Sequence, residues 1–249
     1  MIEPIEHYAV LTRYMPFIKL VSMLEEGFFI PKANLFSDKW EGGLHLFNGK
    51  EDPFLTKEEL KTAKDWIYVS CWYANEPETH AMWNSYGNSD NAVAIQTTQY
   101  DFKAAYHGSK IDPMCSYVGK VKYHMPASAP ELYDNQSIRP WLGNNNNDSK
   151  DPKTTYPRFY LFHKHHAFSF EKEARFLLID NDATVAKSND KLGIHLSAKH
   201  SREMIKKIIL HPNCSDWFEN TIRKLVKDTY KLDIPIYKSS LVGHKSLSN

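Results

Sequence analysis

Glycine is scarce in this chain, with ten in 249 residues, and no two are spaced as Gly-x-Gly. That removes the glycine-rich dinucleotide fingerprint and the phosphate-cradling loop of nucleoside triphosphatases, because both need backbone that can approach a phosphate closely. His-Glu-x-x-His and Gly-x-Ser-x-Gly are also missing, so a zincin helix and a nucleophile elbow are excluded. Cysteine is equally sparse. Cys71, Cys115 and Cys214 stand far apart with no Cys-x-x-Cys pair, which argues against a disulfide framework and for a reducing compartment. The formal net charge is +1, too small to mark the whole chain as a nucleic-acid binder. No apolar run reaches membrane-spanning length and no basic leader precedes an apolar segment, so a soluble, cytoplasmic protein with no membrane partner is expected.

What is present is a core. Hydrophobic residues make up 42% of the chain and aromatics 13%, which suits a folded globular protein. Apolar runs at His7–Arg13, Phe28–Ile30, Trp66–Trp72, Asn91–Thr97, Ser116–Tyr123, Glu171–Ile179, Lys207–His211 and Ile234–Tyr237 read as strands. Helices are predicted from Phe17 to a stop at Gly27, from a Thr56/Glu59 capping box, from Asn75 to Gly87, from Thr155 or Pro157 to His166, and around Trp217–Val226. A turn-rich stretch covers Asp38–Gly43. The irregular mixture predicts an α+β protein, one domain over 1–249 with a mixed sheet flanked by helices. A long irregular loop at 126–157, rich in Pro and Asn, interrupts it as a mobile element beside the functional cleft.

The densest chemistry lies in Phe170-Glu171-Lys172-Glu173-Ala174-Arg175. On a strand, residues i and i+2 share a face, so Glu171, Glu173 and Arg175 would line one side. Such charges are either a structural ion-pair ladder or a catalytic carboxylate, and the sequence leaves both open. His163, His165 and His166 crowd one predicted helical turn, but their spacing does not suit a metal and Lys164 would repel one, so no metal is expected. From Arg158 to Arg175 the chain is basic and aromatic, and Phe159, Tyr160 and Phe162 could stack bases while Arg158, Lys164 and Lys172 meet phosphates.

Several pieces together resemble the domain-of-unknown-function family 2971 of bacteria and phages. They are Leu11-Thr12-Arg13-Tyr14, Tyr68-Val69-Ser70-Cys71-Trp72, Met82-Trp83-Asn84-Ser85-Tyr86, the Glu-Lys-Glu-x-Arg piece, Ile208-Ile209-Leu210-His211-Pro212 and Tyr237-Lys238-Ser239-Ser240-Leu241. The Met-Trp-x-x-Tyr and Glu-Lys-Glu-x-Arg pieces are the most specific, while Asn91-Ala92 stands where many members carry a glycine. More distantly, the order of parts looks like the ADP-ribosyltransferase fold, with its split sheet. That likeness implies NAD as substrate. It places Arg13 or His7 at the first motif, Ser70 at the second, and the catalytic Glu173 with Glu171 at the third. Trp72, Tyr86 or Tyr68 would stack on nicotinamide. It further implies a toxin or phage-defence effector with a nucleic-acid or protein acceptor and an antitoxin or chaperone partner. The alternatives are a non-catalytic binding module and a nucleic-acid-processing toxin.

Overall fold

The computed structural model describes residues 2–36, 64–87, 89–111, 115–125, 160–180 and 191–241. The Asp38–Gly43 turn, the Thr56/Glu59 capping box, the 126–157 loop and the Thr155–Pro157 helix start lie outside these residues. The protein is α+β. Its chain divides into two compact units, one of Met1–Ile5, Ile30–Cys71 and Asp112–Ile194, the other of Glu6–Phe29, Trp72–Ile111 and His195–Asn249.

The second unit carries a mixed sheet. Strand β1 (Val10–Pro16) pairs antiparallel with β4 (Ala92–Thr98) in unbroken register from Val10↔Thr98 to Pro16↔Ala92. Strand β10 (Lys207–Leu210) lies antiparallel on the far side of β4, and β11 (Ile236–Lys238) adds parallel to β10. The C-terminal end of β3 (Ile67–Tyr73) meets β1 at Thr12↔Tyr73. The near-continuous apolar run of β4 reflects a strand covered on both faces. Along β1 the faces alternate. Tyr14 joins a core of Tyr73, Met82, Trp83, Ala92, Ala94 and Ile209, while Arg13 faces Phe28 and Trp72.

The helix Phe17–Glu25 follows β1 directly, burying Leu20, Met23 and Leu24 at helical spacing. It ends as expected at Gly27, which takes φ +106°. Two further helices, Gln99–Gly108 and Ala198–Glu203, pack in the same unit, and neither is evident from apolar periodicity. The first opens on Thr98, whose Oγ1 accepts from the Asp101 N–H. The helix expected from Asn75 starts later, because Thr79 supplies the cap at 3.3 Å, and its last turn, Trp83–Gly87, is a π-turn.

In the first unit, β5 (Cys115–Lys120) pairs antiparallel with β8 (Glu173–Ile179), and the Ile67–Cys71 part of β3 lies on the other side of β8. Ile67, Val69, Leu161, Phe162, Leu177 and Ile179 form the core. Strands β6 (Lys122–His124) and β7 (His163–His165) make a short parallel ladder. The Ser116–Tyr123 strand is thus two strands separated by Val121, and the helix expected to reach His166 gives way to β7 after Leu161. His163–His165 has no apolar alternation to announce a strand. His163 and Lys164 are buried in it, the lysine where Glu171 and Glu173 meet its ammonium.

Candidate active site

Glu171 and Glu173 do come together, though not as neighbours on one strand. Glu171 ends a 3-10 turn, His166–Glu171, and Lys172 takes the left-handed conformation at φ 39° before β8 begins at Glu173. The kink breaks the predicted strand, so Glu171 joins the cluster through Lys164. The Lys164 ammonium lies 2.7 Å from Glu171 Oε2 and 3.7 Å from Glu173 Oε2, and sits 4.6 Å from the centre of the Phe168 ring. Within β8 the i, i+2 rule holds. Arg175 donates from Nε to Glu173 Oε1 at 2.7 Å and from Nη2 to Glu173 Oε2 at 2.9 Å, a bidentate fork. Its Nη1 donates to the Leu161 carbonyl at 2.6 Å. Arg175 is 0% exposed, and Glu171, Glu173 and Lys164 are all buried, so two carboxylates and two cations balance in a nearly dry setting.

Two further groups complete the cluster. The Glu173 N–H donates to the Tyr123 hydroxyl oxygen at 2.8 Å. The Cys71 thiol donates to the Glu173 carboxylate from β3. Burial works against ionisation of Glu173, but the Arg175 guanidinium, its hydrogen bonds, Lys164 and Cys71 outweigh it and bring the carboxyl down to about 2. Glu173 is therefore a carboxylate at every physiological pH. Tyr123 shifts the opposite way, held protonated by burial and by the Glu173 charge. Sequence reasoning missed Lys164, Tyr123 and Cys71 as members of this site: Cys71 and Tyr123 stand on predicted strands, but which strand neighbours Glu173 is a tertiary fact, and Lys164 stands in a short, unpatterned segment. The Lys-x₆-Glu spacing of Lys164 and Glu171 carries no recognisable signal.

Both effects are measurable. A carboxylate whose folded pKa lies below its unfolded one stabilises the fold above the unfolded value and loses that contribution as pH falls through the folded one. The fall from 4.5 to about 2 corresponds to on the order of 3 kcal/mol. Thermal unfolding followed by circular dichroism from pH 6 to pH 2 is expected to show the gap between wild type and Glu173→Gln closing below about pH 4.5. Tyr123→Phe removes the acceptor of a buried N–H, which costs roughly 1–3 kcal/mol. Urea melts of that variant should show the midpoint lowered with an unchanged slope.

Ser70 lies on β3 in the same unit, fully buried. Strand alternation turns it to the face opposite Cys71, the residue that reaches Glu173. Arg13, Trp72 and Tyr86 belong to the other unit. There the Arg13 guanidinium lies 4.9 Å from the Phe28 ring and 5.9 Å from the Trp72 ring, and those rings stack at 5.6 Å. Trp72 is buried and Tyr86 exposed. His7 is exposed, with its ring 6.3 Å from Tyr8. Among the described residues no three His, Cys, Asp or Glu side chains gather into a metal site, and no helix there is long and apolar enough to cross a membrane.

The family model described as "Protein of unknown function (DUF2971)" matches residues 82–176. The matched segment starts at the Met-Trp-x-x-Tyr piece and ends just beyond Glu-Lys-Glu-Ala-Arg, the two pieces singled out in the sequence. A solved structure, Thermus sp. 2.9 DarT in complex with ADP-ribosylated ssDNA, aligns over 96% of this chain and 97% of its own, at 10% identity and a TM-score of 0.37. No curated protein matches.

Proposed function

We propose that this protein is an NAD-dependent mono-ADP-ribosyltransferase with Glu173 as its catalytic carboxylate. The observation that supports this most is the state of Glu173, a buried side chain kept ionised by Arg175 and Lys164 at the start of β8. Cleaving the nicotinamide–ribose bond sends the bonding electrons out with neutral nicotinamide and leaves positive charge on the ribose, as glycoside hydrolysis does. A fixed carboxylate in a dry setting stabilises that charge without reorganising, an effect worth roughly 3–4 kcal/mol. The acceptor's lone pair then forms the new bond to ribose, and its proton leaves to a base. Glu171, held by Lys164, is assigned to the acceptor.

Arg13 is assigned to the pyrophosphate or adenosine end of NAD, and Ser70, fully buried on the face of β3 opposite Cys71, to positioning β3 beside Glu173 rather than to touching NAD. Trp72, already stacked on Phe28, acts by holding the Arg13 guanidinium, which leaves exposed Tyr86 as the aromatic for nicotinamide. The acceptor is nucleic acid or protein. A role as a toxin or phage-defence effector in the cytoplasm, restrained by an antitoxin or chaperone partner, belongs to the same proposal. Incubation with labelled NAD and protein, DNA or RNA tests it, since wild type is expected to release nicotinamide and label one acceptor class. No release and no label with any acceptor would reject the transferase.

A second reading has its own observation. Arg175 is wholly buried with its guanidinium engaged by Glu173 and the Leu161 carbonyl, as in a structural ion pair of a non-catalytic binding module. That module would bind its partner without consuming NAD.

A further inference from the structure

We infer that Glu78 is a positioning residue, latching the C-terminal residues 239–241 onto the π-turn that carries Tyr86. Its carboxylate accepts four hydrogen bonds, two on each oxygen. The Oε2 atom takes the Trp83 Nε1–H at 3.1 Å and the Ser239 hydroxyl at 2.6 Å. The Oε1 atom takes the Ser240 N–H at 2.9 Å and the Ser240 hydroxyl at 3.0 Å. Two carboxylate oxygens offer about four acceptor sites, so the protein's own donors saturate this one. Glu78 thus joins Met82-Trp83-Asn84-Ser85-Tyr86 to Tyr237-Lys238-Ser239-Ser240-Leu241, two pieces singled out in the sequence, while belonging to neither.

Both sides of the latch are anchored. Just before Glu78, the Tyr73 hydroxyl donates to the Pro77 carbonyl at 3.0 Å. On the other side Ser239 is buried, its N–H donating to the Leu210 carbonyl at 3.1 Å and its Oγ accepting the Leu241 N–H at 3.1 Å. Leu241 packs on the core that holds Tyr14 and Trp83. The Trp83 ring meets Tyr14 edge-on at 4.8 Å and His211 at 5.1 Å, so the Glu78 bond to Nε1 completes its restraint. Trp83 begins the π-turn Trp83–Gly87, a rare geometry frequent at functional sites, and Tyr86 stands on that turn, 40% exposed. If the two serines leave, the Glu78 carboxylate is free to turn to water, and the indole N–H loses its acceptor. The turn then loosens with the C-terminal segment. That Tyr86 receives nicotinamide rests on the proposed function; that the latch holds the turn does not.

Hydrogen exchange followed by mass spectrometry on the full chain, without NAD, reads the latch directly. Ser239→Ala/Ser240→Ala removes both hydroxyl donors and alters nothing on the π-turn. Exchange over residues 83–87 is nevertheless expected to quicken about tenfold, together with that over 239–241. Glu78→Ala should do the same from the other side, and the serine variant serves if Glu78→Ala misfolds. The inference is overturned if 239–241 loosens while 83–87 stays as protected as in wild type. Where wild type turns over NAD, the serine variant should raise KM for NAD about tenfold and leave kcat within about twofold, because only binding is weakened. A lowered melting temperature with an unchanged KM would reduce Glu78 to a structural contact and overturn the positioning role. If wild type turns over no NAD, the transferase reading fails and the exchange result alone decides the latch.

Discussion

Glu173→Gln is expected to abolish NAD turnover and to lower the melting temperature at the same time. Glutamine keeps the size of the side chain and one acceptor oxygen, but it removes the charge that a ribosyl cation needs and that Arg175 and Lys164 face. Breaking a buried ion pair by removing one partner costs about 3–5 kcal/mol. Loss of stability alone therefore does not separate a catalytic carboxylate from a structural one. A compensated variant does. Glu173→Met/Arg175→Met replaces the pair with apolar side chains, and such replacements are often neutral or stabilising. If Glu173 is catalytic, this variant regains its melting temperature and stays inactive. Any NAD turnover restored along with stability would remove Glu173 from the chemistry and favour the structural reading.

Gly27→Ala is expected to have the largest effect on folding of any methyl-sized change. At φ +106° a residue with a side chain is strained whatever the space around it. Here there is no space, because a Cβ would sit 1.8 Å from the Leu196 carbonyl oxygen. That oxygen belongs to backbone fixed from both sides. The Leu196 N–H donates to the Phe28 carbonyl at 3.0 Å, and Ser201 accepts the Phe28 N–H at 2.8 Å. Arg202 meanwhile holds the Leu24 carbonyl just before the turn. Neither strand of this crossing can retreat without losing buried hydrogen bonds, so a destabilisation above about 3 kcal/mol is expected. Chemical denaturation, or a soluble yield too low to measure it, reads the outcome, and a melting temperature within a few degrees of wild type would contradict it.

The parts legible in the sequence are those whose signal is local. Residues 67–72 are apolar but for Ser70, and 176–179 are an apolar run that follows Glu173 and Arg175, and both stretches are strand; Phe17, Leu20 and Leu24 mark a helix that Gly27 ends. The pairing of Glu173 with Arg175 also follows from strand spacing alone. Glu171 was beyond that rule, because nothing in the residue type Lys announces the left-handed turn at Lys172. The helix Ala198–Glu203 is almost wholly polar, anchored by buried Ser201 and by Arg202 on a carbonyl far away in sequence. Lys164 is hidden for the same reason. Its burial depends on carboxylates that reach it only after the 3-10 turn has formed, a tertiary effect that no short-range pattern carries.

The division into two units has a consequence for how the chain reaches its native state. Each unit is assembled from separated stretches, and the polypeptide passes from one to the other at residues 5–6, 29–30, 71–72, 111–112 and 194–195. The first unit draws Glu3 onto Lys120, a partner more than a hundred positions away in sequence. Closing such distant pairs costs chain entropy before contacts reward it, which slows folding. No single cut can release either unit intact. A fragment ending at residue 111 lacks most strands of one unit and the β10–β11 edge of the other, so it should expose unpaired strand edges and aggregate. Vectorial synthesis thus offers little protection: the first core waits for the stretch that ends at Ile194, and the second for the β10–β11 edge beyond it.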